Sequence, residues 1–491
     1  MKLFTFFTAC CIPFFLYSQP SLLEVKEIPL NNELTYYQFF HEENDRYGLL
    51  VRETNAITET PVLRYYQLGT TLAVKSQGVF PLDRDVEVVM AKENTYNIFI
   101  LLKKERGGYE ILQLDKFASE FEQTDIEVPS SMEISHFLAT DQALFIGGIT
   151  KGKTTAYKLR LNSKKFQVLF HHLNQQTKIN ALQYHKDVGV VSFLMEKSRD
   201  FSIDHYLVNQ HHANGDLLYT ASVTLPINYR AGEAKLVVLN QKNCMLLGTY
   251  SQAVIAKENA MGFFSIKLKE KEVVGSRFYN LGRVDNYFAF IPQKKELKLK
   301  KRIEKAAVKN KSIKTGINIV LDEPQITEGR VLLEGSSFYK IKNTDKTLSF
   351  EYLNTFLACF DQKGRLLWNN TMVYPNEHLK TSSPFLLTEA CLINGEAFFI
   401  QKQQYIYRSK IVHSRERDPN VNHTYLKDGF LSTDYKNVFY DQHMSLNDNG
   451  LLLYFGIREK TPKNNILNSQ LYFFIEKIEA VPRPLLSKEI N

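Results

Sequence analysis

A strand of four to seven mostly apolar residues recurs along this chain at a nearly constant interval, and that period constrains the fold more than any other feature. The copies begin at Tyr47, Tyr96, Ala143, Val188, Cys244, Val331, Ala397 and Leu451, separated by 49, 47, 45, 56, 87, 66 and 54 residues. Each is a short apolar run bounded by turn residues, the pattern of a buried strand. Helix-period patterns are scarce. A unit of this length repeated along most of a chain is the signature of a ring or solenoid rather than of one irregular core.

Two further markers keep the same step. An apolar or aromatic residue precedes proline at Ile28-Pro29, Phe80-Pro81, Val128-Pro129, Leu225-Pro226 and Tyr374-Pro375. The first three prolines are 52 and 48 residues apart, and the next interval, 97, is close to two steps. Proline cannot donate to a sheet ladder, so it belongs at strand ends and outer edges. Hairpins follow several of the central strands. Asn214-Gly215 and Asp361-Gln-Lys-Gly364 each place a glycine in a tight turn between two strand-like runs. Tyr157 to Phe170 repeats the shape without the glycine.

Four short antiparallel strands in such a unit make the blade of a β-propeller. The fold class expected is therefore all-β: a ring of four-stranded blades, eight by count, with seven as the alternative because the region 395–440 is poorly patterned. The last unit, near 437–478, lacks a clear fourth strand, while Leu22 to Pro29 reads as an unassigned outer strand. Pairing the two closes the ring and removes an exposed edge. Two packed β-sandwiches would also supply strands, but not a period held this long.

The hairpin Ala358-Cys-Phe-Asp-Gln-Lys-Gly-Arg-Leu-Leu-Trp368 resembles the hairpins of exported bacterial propeller-repeat proteins. The layout as a whole is similar to a functionally uncharacterised group of them: a signal peptide ending Tyr-Ser-Gln, degenerate blades and one Lys-rich insertion. The resemblance implies a propeller and export, and carries no active site with it. WD40 marks and the regular double glycine of kelch repeats are missing.

Met1-Lys2 followed by the apolar run Leu3 to Tyr17 has the layout of a secretory signal peptide, with cleavage after Ser18. The run is short for a membrane span. Lipidation at Cys10 and an uncleaved anchor are the alternatives. The expected organisation is a signal peptide over 1–18 and one propeller domain over 19–491. Of five cysteines, Cys244, Cys359 and Cys391 remain after cleavage, each in an apolar run. They read as buried thiols, with a Cys359–Cys391 bridge as the alternative, and not as a disulfide framework.

The formal net charge is +8, with 61 Lys and Arg against 53 Asp and Glu. Residues 294–314 alone hold ten of these cations and two glutamates, so the rest of the chain sums to zero. The molecule is a neutral body with one basic insertion, spanning about 283–315. Nucleic acid is not an expected partner. From Gln293 to Asn310 the residue types favour helix. Leu299, Ile303, Ala306 and Ala307 fall on one face, with Glu296 a turn earlier. Pro292 suits the start and Gly316 the exit. The candidate binding residues are Lys294, Lys295, Lys298, Lys300, Lys301, Arg302 and Lys305, which could meet an anionic lipid surface, an acidic partner or a polyanionic glycan. A solvated surface helix or loop is the plain alternative.

The pairs His171-His172 and His211-His212 lie in what read as turns. Neighbouring strand residues point to opposite faces, so each pair offers one ligand at most, and surface histidines are the simpler reading. Asp83-Arg-Asp85 and Asn447-Asp-Asn-Gly450 lack the ligand series of a calcium loop and read as turns. Trp368 reads as packing in a hairpin strand. No local motif of a hydrolase, zinc protease, P-loop or dinucleotide site occurs, and no metal or other cofactor is expected. The expectation is a non-enzymatic binding or scaffold protein of the cell envelope, whose partner is an envelope protein or glycan. The first alternative is an enzyme acting on extracellular glycan or another polymer, which requires carboxylates converging in the central funnel. The second is association with an anionic membrane surface through 294–314.

Overall fold

The computed structural model describes residues 21–479 with internal breaks, the longest being 253–259, 374–379, 382–387, 413–425, 428–434 and 463–468. Residues 1–20, including the candidate signal peptide, lie outside it. The described strands form seven antiparallel sheets. Six correspond to single meanders. The seventh has eight strands: two four-stranded meanders, covering 177–224 and 229–280, joined through the single pair Ile203–Ala231. Eight units thus follow one another along the chain, which is how a count of eight repeats and a count of seven sheets coexist. They are numbered here from 36–81 (unit 1) through 86–123, 132–172, 177–224, 229–280, 317–373 and 388–427 to 435–479 (unit 8).

All eight recurring apolar runs are the second strands of their units, from Arg46–Thr54 in unit 1 to Leu451–Pro462 in unit 8. These strands are paired on both edges and packed on both faces, so their sequences are apolar nearly throughout. The Arg46–Thr54 and Ala143–Thr150 strands show this as almost unbroken burial. Outer strands alternate weakly: in Val74–Pro81 only Gly78 is fully buried. Pro29 and Pro81 lie in outermost strands and Pro226 just beyond one.

Apolar clusters join neighbouring units from unit 1 through unit 7, and unit 8 to unit 1. Unit 1 packs on unit 2 through Leu50, Leu63, Ile98 and Leu112. Unit 2 meets unit 3 through Phe99, Ile111, Leu144 and Ile146. Phe145 and Phe193 link units 3 and 4, and Cys359, Met372 and Phe399 link units 6 and 7. First strands approach one another between units 2 and 3, 3 and 4, 5 and 6, and 7 and 8, as the inner strands of a propeller do. The ring closes through the Ser21–Leu30 strand, which pairs with Gln470–Glu479 in unit 8 as its outermost strand, Ile28 opposite Phe473. Ile28 and Leu30 then pack between Leu49 and Val51 of unit 1 and Phe473 and Ile475 of unit 8. The fold is a β-propeller with one helix among the described residues.

The insertion between units 5 and 6 is more embedded than a surface excursion. Tyr287 and Phe288 are wholly buried in the cluster shared by units 4, 5 and 6. The Tyr287 hydroxyl meets Ser337 at 2.8 Å, and its carbonyl accepts from Asn354 Nδ2 at 2.5 Å. The aromatic run ahead of the lysines is a wedge between units. Cys244 and Cys359 are buried, and burial pushes the Cys244 thiol up to about 12; the side chain of Cys391 lies outside the described residues. Trp368 stands opposite Cys359 and packs into the cluster between units 6 and 7.

Candidate functional site

Helix α1 spans Gln293–Val308, begins behind Pro292 and exits toward Gly316, whose φ is +71°. Ile303 and Ala306 are its buried residues. Leu299 is half-buried, and Glu296 pairs with Lys300 at 2.7 Å one turn along the same side. The helix rests on the short turn Leu281–Arg283 at the end of unit 5. There a Cβ on Gly282 would come within 2.9 Å of the Lys300 carbonyl, so only glycine admits this approach.

Lys300 therefore belongs to the packed side. The other six candidate cations, Lys294, Lys295, Lys298, Lys301, Arg302 and Lys305, are exposed. None of them has an ion-pair partner among the described residues. At 3.6 residues per turn, Lys294, Lys298, Lys301 and Lys305 fall on one line opposite Ile303. At a rise of about 1.5 Å per residue the stripe is roughly 16 Å long. Leu297 and Val308 flank it, 53% and 79% exposed. The outward face thus combines a row of cations with two uncovered aliphatic side chains.

A second feature lies between the first strands of units 5 and 6. Glu233 in Tyr229–Asn240, the first strand of unit 5, meets Glu323, which follows the first strand of unit 6, around Lys235. Lys235 Nζ is 3.5 Å from Glu233 Oε1 and 2.9 Å from Glu323 Oε1. Glu233 Oε2 accepts from the Leu321 amide at 2.8 Å, and Gln183 of unit 4 donates to Glu323. Burial raises the pKa of Glu233 above the ordinary range, although Lys235 and the Leu321 amide pull against it. Burial also raises Asp322. For Lys235 burial works against the charge, but Glu323 and Glu233 outweigh it and hold the ammonium pKa above its usual value. Carboxylates from two neighbouring units thus meet around one lysine.

A pocket of about 300 Å³ opens on the face that carries the first-to-second strand turns, where units 1 to 4 meet. His41 and Arg46 line it from unit 1, Glu93, Lys116 and Phe117 from unit 2, Asp141 from unit 3, and Tyr184 and Lys186 from unit 4. Being assembled from turns up to 145 residues apart, it leaves no local motif.

The histidine pairs sit at strand ends and not in turns, because the Gln167–His172 and Ser202–His212 strands run on to the turn residues. The Thr155 hydroxyl meets His171 Nδ1 at 3.0 Å. His211 is buried edge-on against Phe193, and burial lowers its pKa to about 4. Asp361 accepts from the Lys363 and Arg365 amides, which makes it a turn residue. Asn447 to Gly450 lie outside the described residues.

No protein-family model and no curated protein matches the chain. Solved structures similar to it include one from a structural and mechanistic study of two prolyl endopeptidases, at 10% identity and a TM-score of 0.40, covering 88% of this chain and 55% of that one. Oligopeptidase B from Leishmania major is similar at 8% identity and a TM-score of 0.43, covering 89% and 54%. The β-propeller domain of the Trilobed protease from Pyrococcus furiosus is similar at 9% identity and a TM-score of 0.38, covering 82% and 98%. The chain spans about half the length of the first two.

Proposed function

We propose that this is a binding protein of the cell envelope that docks on an anionic surface through α1, the propeller serving as a rigid platform. The observation that carries this reading is the outward stripe of Lys294, Lys298, Lys301 and Lys305, flanked by Leu297 and Val308. A helix that only needed solvation would gain nothing from lining up four lysines on the side opposite its anchor. Cations near an anionic lipid surface contribute about 1 kcal/mol each, and exposed aliphatic side chains can enter the headgroup layer. Export, which this reading requires, rests on the N-terminal apolar run.

The test is co-sedimentation with vesicles of phosphatidylglycerol and phosphatidylcholine, against phosphatidylcholine alone. Retention should require the anionic lipid and fall steeply with salt. Changing the four stripe lysines to Gln should weaken it roughly a thousandfold. Retention that ignores salt and the lysine changes would refute membrane docking. Binding instead to an envelope protein or polyanionic glycan, lost in the same variant, would keep the helix as the contact and change its partner.

The carboxylates around Lys235 favour a second reading, an enzyme acting on an extracellular polymer. Glu233, with its pKa raised by burial, is the candidate proton donor. Glu233→Gln should abolish any turnover found in a glycan screen. Turnover unchanged by that substitution would remove this site from the chemistry.

A further inference from the structure

We propose that the propeller lies on an anionic bilayer by one edge of one face, with Ile227 and Leu348 entering the lipid on either side of α1. This placement rests on the docking of α1 and extends it to the ring. In a four-stranded antiparallel meander the fourth-to-first connections and the second-to-third turns leave from one face. The ladders of unit 5 fix that face: Tyr229 stands opposite Gln252, and Gly262 opposite Asn280. The insertion that holds α1 is the connection from unit 5 to unit 6 and leaves from this face. The pocket among units 1 to 4 opens on the other one.

Elements on both sides of α1 reach the same face. Residues 225–228 join unit 4 to unit 5; Leu225 is buried, while Ile227 is 86% exposed, the most exposed large apolar side chain among the described residues. Arg230 Nη1 donates to the Ile227 carbonyl at 3.1 Å, which keeps a guanidinium beside it. Tyr229 stacks on Phe278 at 4.6 Å, just ahead of the Leu281–Arg283 turn on which α1 rests. On the far side of α1, the second and third strands of unit 6 run on as a hairpin past the first. Ile317, where the first strand begins, is opposite Tyr339, but the hairpin continues until Lys342 is opposite Leu348. Three more residues at about 3.3 Å each carry its tip roughly 10 Å further. Leu348 is 52% exposed there, and Lys342 is exposed as well.

Three successive elements from units 4 to 6 thus each present an uncovered aliphatic side chain next to a cation: Ile227 with Arg230, Leu297 and Val308 with the stripe of α1, and Leu348 with Lys342. That pairing suits a lipid interface, where the aliphatic group enters the headgroup layer and the cation stays at the level of the phosphates. Tips on three separate elements suit a plane. The connection from unit 1 to unit 2 leaves from the same face across the ring and has the opposite character. Leu82 is buried there, and Asp83, Arg84 and Asp85 are exposed. It offers no aliphatic tip and a net negative charge, so the ring tilts with units 4 to 6 toward the lipid.

Tryptophan reporters test the placement. Ile227→Trp, Leu348→Trp and Arg84→Trp are each compared with the native chain, whose Trp368 packs between units 6 and 7 and sets the baseline. The vesicles are phosphatidylglycerol and phosphatidylcholine with brominated acyl chains, which quench tryptophan on contact. The added emission of both tip variants should be quenched and shifted to the blue, and that of Arg84→Trp should not. Ile227→Asn combined with Leu348→Asn leaves the charge unchanged and lies outside the core, and it should weaken vesicle retention by roughly tenfold or more. Retention that persists while either tip tryptophan escapes quenching would overturn the placement and leave the docking of α1 standing. Equal quenching at Arg84→Trp, or retention unmoved by the two asparagines, would do the same. A native chain that is not retained on anionic vesicles would overturn the docking of α1 and this placement with it.

Discussion

Ile28→Ala tests whether the N-terminal strand holds the ring shut. Ile28 is 4% exposed and sits opposite Phe473, packed against Tyr47, Leu49 and Leu68 across the junction of units 8 and 1. The substitution removes three carbons, about 0.8 kcal/mol each in transfer. The cavity adds to this, because clusters on both sides of the junction are held by their own ladders and cannot collapse fully. The expected loss is about 3–4 kcal/mol, inside the usual range for such truncations. Leu23→Ala, in the same strand but at 49% exposure, is the control and should cost under about 0.5 kcal/mol. The assay is urea unfolding followed by far-UV circular dichroism and by the fluorescence of Trp368, the only tryptophan, which lies between units 6 and 7. With a denaturant slope above about 3 kcal/mol/M for a chain of this size, Ile28→Ala should lower the midpoint by up to about 1 M. Both probes should shift together, although Trp368 is two units from the junction. Midpoints equal for Ile28→Ala and Leu23→Ala would refute the closure argument. A shift seen by dichroism and absent from fluorescence would show that the ring does not unfold as one.

Three further outcomes follow from the same geometry. Burial lowers His185 and His211 to about 4, so each binds a proton more readily unfolded, near 6.5, than folded; stability is intact above pH 6.5 and falls as pH drops toward 4. His211→Gln should flatten that slope in denaturant titrations run from pH 7 to 4. Gly364, at φ +73°, accepts at its carbonyl from Ser265 Oγ at 2.6 Å and from the Tyr279 hydroxyl at 2.9 Å, so Gly364→Ala should cost about 1–2 kcal/mol in the same assay. Ile303→Asp, at the wholly buried anchor of α1, should release the helix and make the 293–308 segment the first site cut in limited proteolysis, whereas Leu297→Asp should leave the digestion pattern unchanged.

What the sequence disclosed follows from which strands are buried on two faces. Second strands are packed between units, so Tyr47–Val51, Ile98–Leu102 and Ala143–Ile146 are apolar without interruption and their period is visible. Outer strands such as Val74–Pro81 and Glu120–Gln123 have little to bury, and only the prolines marked some of them. The helix was legible because its signal is local: Glu296, Leu299, Ile303 and Ala306 recur at its own period. Lys300 could not be separated from the other cations, since its place is set by the pair with Glu296. The aromatic wedge Tyr287-Phe288 was absorbed into the insertion because nothing in the chain shows that unit 6 supplies Ser337 and Asn354 to receive it. Glu233 and Glu323 stand 90 residues apart, and Arg46 and Lys186 further still; only the ring brings either pair together. Charged residues beside the apolar run Leu236 to Leu239 in a first strand, as Glu233 and Lys235 are, are the mark that could have pointed to this cluster.

The closing strand also carries its own register check. Ile28 and Leu30 face unit 1, while Glu27, on the other face, meets Arg458 and Lys460 of unit 8. The Arg458 side chain is wholly buried, and Glu476 beside it is buried as well. Burial lowers the Arg458 pKa to about 9 against the pull of Glu476, so this cluster is a poor source of net stability: desolvating a guanidinium costs much of what the pairing returns. Its value is in alignment. A slip of one residue would turn Glu27 into the apolar cluster with Leu49 and Phe473 and leave Ile28 against the buried guanidinium, two penalties for a single error. The strand that must find its partner across more than 430 residues is thereby specified on both faces at once. A closure fixed in this way holds the turns of units 1 to 4 at constant spacing around the pocket between them.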